Sequence, residues 1–214
     1  MSAGLTFDEW LAHAFDHPGD DPEWMDRKDS PYWRDTSAIK AAYITETFKN
    51  ADRHLSRFDD RQLENGLDLV VRAGASGYLL QALETEVALD ARLSLVRSTT
   101  DLFQKLFAAR CPEFRPAIVT PLYGICGQFW RVFPIRRPQD DPGRVPLHRA
   151  RLEAMESILA IDNRMCRYSA LAGLALLTQW EPEDAAGVLE RYLARTPEPP
   201  LADYARDALT GYEI

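Results

Sequence analysis

Apolar residues recur along this chain at three- and four-residue spacing, in runs several helical turns long, closed by proline or glycine. That spacing gathers them on one side of a 3.6-residue helix and would scatter them over both faces of a strand. Sustained two-residue alternation between hairpin turns is missing, and Ala117-Ile118-Val119-Thr120 is the only short strand candidate. The chain is therefore expected to be all-α, a stack of about eight to ten antiparallel helices burying their stripes against one another.

Local punctuation places the helices. Thr6 with Glu9 three residues on reads as a capping box ahead of Phe7, Trp10, Leu11 and Phe15, and Pro18-Gly19 stops that helix. A second helix is expected over residues 36–57, with Ile39, Ala42, Tyr43, Thr47 and Phe48 on its apolar face. Asp59-Asp60 restart the chain for a third on Leu63, Leu67, Val70 and Val71. Short and long helices follow over 78–83 and 87–110. Thr120-Pro121, a capping hydroxyl before proline at the first helical position, opens one over 122–133, where Gly124 and Gly127 permit close approach. Residues 134–147 hold Pro134, Pro138, Pro142 and Pro146, each lacking an amide donor and clashing with a preceding turn, so an irregular surface loop is expected there. Four regular helices close the chain, over 147–160, 163–179, 183–194 and 201–209.

With 214 residues and no linker, one domain over 1–214 is expected. It divides into an arm (1–35), a helical body (36–133), a Pro/Arg loop (134–147) and helical pairs (148–214). No run approaches the roughly 20 apolar residues of a membrane span, and the N-terminus shows no secretory pattern, so a cytoplasmic location without membrane contact is expected. Cys111, Cys126 and Cys166 form neither a CxxC pair nor zinc spacing and read as small buried thiols in a reducing compartment.

Charge is unevenly spread. The net of −8 disfavours nucleic acid as a partner, since phosphate backbones are repelled. Residues 1–35 carry nine acids against three bases, whereas residues 131–151 carry six arginines against two aspartates. The arm also holds Trp24, Tyr32 and Trp33, three rings that a solvated tail has no use for; docking on the body is expected, with the loop arginines Arg136, Arg137 and Arg144 facing the arm or an acidic partner. Trp130, beside Arg131, is a candidate for a seam or partner surface.

No catalytic constellation is legible: GxSxG, GxGxxG and phosphate-cradling glycine loops are missing. His13 and His17 share a helix face at a spacing that can bind metal, but Ala14 stands where a metalloprotease has glutamate, so surface histidines are the simpler account. Glu46, Asp52, Asp59, Asp60, Glu84 and Glu86 lie mostly at helix starts, where the macrodipole already favours acids. No cofactor or metal is implied.

Residues 162–174 read Asp-Asn-Arg-Met-Cys-Arg-Tyr-Ser-Ala-Leu-Ala-Gly-Leu, and Cys166, Ala170, Gly173 and Leu174 recur 35 residues later as Leu201, Ala205, Ala208 and Leu209. An aspartate before the helix, an early arginine, then small and leucine positions resemble the leading helix of a HEAT-like or armadillo-like repeat. The resemblance covers about 65 residues of the C-terminal third and implies a helical stack presenting a surface to a partner. The leading expectation is thus a non-enzymatic interaction module, an adaptor or an inhibitor or immunity-type protein, bound to a protein partner or to itself. The alternative is an all-helical enzyme or small-molecule binder with a pocket between helices.

Overall fold

Thr6 caps the first helix as the spacing predicts: its hydroxyl accepts the Glu9 amide, and its own amide donates to the Glu9 carboxylate at 2.8 Å. The computed structural model describes residues 4–20, 33–72, 76–111, 120–134, 140–195 and 197–210, and among these every regular element is helical. After α1 (Phe7–Phe15) come α2 (Ser37–Lys49), α3 (Ala51–His54), α4 (Asp60–Val71), α5 (Tyr78–Ala82) and α6 (Leu89–Leu102). A π-helical turn (Phe103–Phe107) joins α6 to α7 (Ala108–Arg110). Then follow α8 (Pro121–Val132), α9 (Arg144–Leu159), α10 (Arg164–Leu177), α11 (Pro182–Leu193) and α12 (Pro199–Leu209). No described helix is long and apolar enough to cross a membrane.

Several starts use the expected chemistry. Asp59 accepts the amides of Arg61 and Gln62, both at 2.9 Å, and Gln62 bonds back to Asp59. Pro121, Pro182 and Pro199 occupy first-turn positions, where a missing amide costs nothing. Gly77 adopts φ 69°, the left-handed turn that admits the chain to α5. Thr120 precedes α8 as expected, but its hydroxyl caps nothing.

Three expectations need correction. The helix expected over 36–57 breaks at Asn50, and its buried face is Lys40, Ala41, Ile44, Thr47 and Phe48, while Ile39 and Ala42 are exposed. Apolarity alone pointed to Ile39; the packed structure instead buries a lysine, for reasons given below. The Pro/Arg loop is shorter than expected, because α9 begins at Arg144 with Pro146 inside its first turn, where proline is tolerated. Residues 135–139 of that loop lie outside the described residues. The long helix over 87–110 is interrupted by the π-helical turn, which brings Phe103 and Phe107 to a 4.9 Å edge contact in the core.

One core runs through every long helix. α8 and α10 approach closely through glycines: a Cβ on Gly127 would lie 2.6 Å from Met165 Cε, and one on Gly173 would lie 2.7 Å from Trp130 Cβ. In the C-terminal third α9 packs on α11 and α10 on α12. Of the recurring positions, Ala170, Leu174 and Ala205 are fully buried, and Leu209 is half-buried against the core.

Candidate functional site

Of the three rings singled out in the arm, Trp33 lies among the described residues, and it is docked. It is 2 % exposed, stacked 5.7 Å from Tyr43, tilted 5.2 Å from Trp10 and edge-on 5.3 Å from Tyr78. Its backbone amide donates to the Tyr78 hydroxyl at 2.9 Å and its indole to Asp35. Lys40 of α2 enters the same box, its ammonium 5.6 Å from the Trp33 and Tyr78 ring centroids and hydrogen-bonded to Gln81. The aromatic faces and that amide replace water for a buried cation. Burial lowers the Lys40 pKa, with Asp35 opposing. His13 closes the box with Nε2 3.2 Å from the Tyr78 hydroxyl; burial, then His17, lowers its pKa to about 4. His17 turns back onto the His13 carbonyl at 2.8 Å. The box is filled by the protein's own groups and works as a clamp for the arm. Trp24 and Tyr32 lie outside the described residues.

The loop is pinned by arginines that the sequence did not single out. Arg92 of α6 donates to both carboxylate oxygens of Asp141, at 3.0 and 2.9 Å, and Asp141 also accepts the Gly143 amide at 2.7 Å. Arg151 of α9, equally buried, donates to the Pro134 carbonyl at 3.2 Å. Arg144 reaches Glu181 at 3.1 Å, and Arg136 and Arg137 lie outside the described residues. Trp130 is 0 % exposed, stacked on Phe103 and packed on Phe129 and Phe133, so it belongs to the core and offers no partner surface.

The carboxylates serve locally. Glu46 bonds His54 and Asn50, Asp60 pairs with Arg110 at 2.8 Å, and Glu86 accepts from Ser37. The three thiols, remote in sequence, meet in the core: Cys126 of α8 shares hydrogen bonds with Cys111 and Cys166. Burial first, then those neighbours, push the Cys126 thiol well above its ordinary pKa. Such thiols are inert, because the thiolate is the reactive form. Among the described residues no group of three His, Cys, Asp or Glu is placed to hold a metal ion.

An open site remains between α10 and α12. A cavity of about 320 Å³ is lined by Arg164, Met165 and Tyr168 from the first helix and Pro200, Leu201 and Tyr204 from the second. Both sets have the spacing i, i+1, i+4, which is one face of one helical turn. The Tyr168 and Tyr204 rings meet at 4.9 Å, tilted by 54°. Gly127 of α8 leaves room for Met165 and Tyr168 behind them. Arg164 pairs through Nε with Glu198 at 3.3 Å. The lining is otherwise apolar and aromatic. Sequence reasoning passed over this pair because two tyrosines at helical spacing look like ordinary core; the only signal was the repeated i, i+1, i+4 pattern.

Neither a protein-family model, nor a curated protein, nor a solved structure matches this chain.

Proposed function

We propose that this chain is a non-catalytic small-molecule-binding protein whose site is the cavity between α10 and α12. The observation that carries the reading is the lining itself: five apolar or aromatic side chains and one cation, in a space at the small end of the roughly 300–1,000 Å³ typical of ligand pockets. Such a mixture binds by burying apolar surface and orients its ligand with few polar groups. Acid–base chemistry needs a group that exchanges a proton near neutral pH, and the lining has arginine and tyrosines in that role's place. Burial raises the Tyr204 pKa further from that range.

The test is amide NMR of the full chain against a panel of small aromatic and aliphatic solutes. Saturable shifts confined to residues 164–168 and 200–204, lost in Leu201→Arg, are expected. A panel in which no solute perturbs those residues would refute the reading.

A second reading, the interaction module, draws support from a different surface. Val145 and Trp180 are 64 % and 42 % exposed, and the Arg144–Glu181 pair joins the chain segments that carry them. Tryptophan and arginine dominate interface hot spots, and the resemblance of the C-terminal third to HEAT-like repeats favours a surface of this kind. Light scattering or native mass measurement of wild type against Trp180→Ala tests it: an assembly lost in the variant supports this reading, and an unchanged monomer in both removes it for self-association.

A further inference from the structure

The walls of the α10–α12 cavity narrow the class of molecule it can hold, an inference that rests on the small-molecule reading above. Arg164 is the charged residue of the lining, and its Nε already engages Glu198 at 3.3 Å. Tyr204 lines the space with its ring, because its hydroxyl is fully buried beside Arg131 and Tyr168. Met165, Pro200 and Leu201 add hydrocarbon and a thioether. A carboxylate entering here gives up its water and must compete with Glu198 for the guanidinium, and an ammonium meets Arg164 as a like charge. Burying an ion on those terms costs far more than burying a hydrocarbon of the same shape. An uncharged ring avoids that cost. It gains apolar contact, and the Tyr168 and Tyr204 rings, 4.9 Å apart and tilted by 54°, add aromatic contact.

The size of the space is set from behind its wall. Met165 lies with its methyl against Gly127 of α8, where a Cβ would stand 2.6 Å from Met165 Cε and 4.0 Å from Tyr168 Cε1. Gly127 is not part of the lining, yet its missing side chain lets a lining residue sit back against α8. A dry apolar cavity of about 150 Å³ already accepts benzene. At about 320 Å³ this one has space for a single ring or a fused pair. We propose that the cavity binds an uncharged apolar compound of one ring or a fused pair, and that Gly127 sets this size by seating Met165 against α8.

The experiment is amide NMR titration of the full chain with toluene, benzoate and benzylamine, which share one ring, and with indole. Toluene and indole should give saturable shifts in residues 164–168 and 200–204, and both ions should bind at least about tenfold more weakly than toluene. Gly127→Ala pushes the flexible end of Met165 into the space, so it should weaken indole about fivefold or more while affecting toluene less. Met165→Ala, added to Gly127→Ala, should restore indole binding. Met165→Ala alone should raise the affinity for indole relative to toluene, which tests the size claim even if Gly127→Ala does not fold. Benzoate or benzylamine binding as tightly as toluene would overturn the ligand class and leave the pocket reading intact. An indole-to-toluene ratio that stays at the wild-type value in the folded variants would overturn the role of Gly127 and Met165. No saturable shift from any of the four compounds defeats the pocket reading as well.

Discussion

Removing the Asp141 carboxylate should destabilise this protein more than any surface charge change. Arg92 and Asp141 are 3 % and 0 % exposed at the side chain, so neither charge is hydrated. Asp141 collects two bonds from Arg92 and one from the Gly143 amide just ahead of α9. In Asp141→Ala the guanidinium stays buried without its counter-charge, and breaking such a pair from one side typically costs about 3–5 kcal/mol. An exposed pair such as Arg206–Asp203, at 62 % and 70 % exposure, should cost less than about 1 kcal/mol when cut. Replacing both partners, Arg92→Met with Asp141→Leu, removes the stranded charge and should recover much of the loss, since apolar replacement of buried pairs is often about neutral. Urea unfolding followed by far-UV circular dichroism gives all four values. A single-variant loss under about 1 kcal/mol, or a double variant as unstable as the single, would refute the argument that desolvation of Arg92 sets the cost.

Other outcomes follow from the same physics. Trp33→Ala should cost about 3–5 kcal/mol, the range for emptying a large buried ring, and an unchanged melting temperature would show that the arm is not clamped. His13 has a folded pKa of about 4 against an ordinary 6.5, so between those values the unfolded chain binds the extra proton. Stability should therefore fall as pH drops from 6.5 to 4, by at most about 1.4 kcal/mol per pH unit, and level off below; His13→Gln should flatten that slope in pH-dependent urea melts. Leu174→Ala, at a fully buried site, should cost about 2–5 kcal/mol, and Leu209→Ala should cost less because Leu209 is only half-buried. Cys111, Cys126 and Cys166 should resist a thiol reagent in the folded protein and all react after unfolding; fast reaction of the native protein would contradict their burial.

The sequence by itself determined what depends on a few neighbouring residues. Helical class follows from apolar spacing, the start of α1 from Thr6 and Glu9, the start of α4 from Asp59 and Gln62, and the start of α8 from Pro121, because capping and proline chemistry act within one turn. It also pointed to Trp33 as a ring that must be buried, since hydrophobic cost is a property of the side chain. Only the tertiary structure decided which faces meet. Lys40 became a core residue because Trp33 from the arm and Tyr78 and Gln81 from α5 converge on it, and local apolarity had favoured Ile39 instead. Trp130 moved from a candidate surface into the core because Gly173 lets α10 close on it. Arg92 with Asp141, the three thiols, and Tyr168 with Tyr204 are likewise products of helix packing. Partners separated by dozens of residues leave no mark in either local pattern, so burial, pairing and the cavity itself exist only once the helices are assembled.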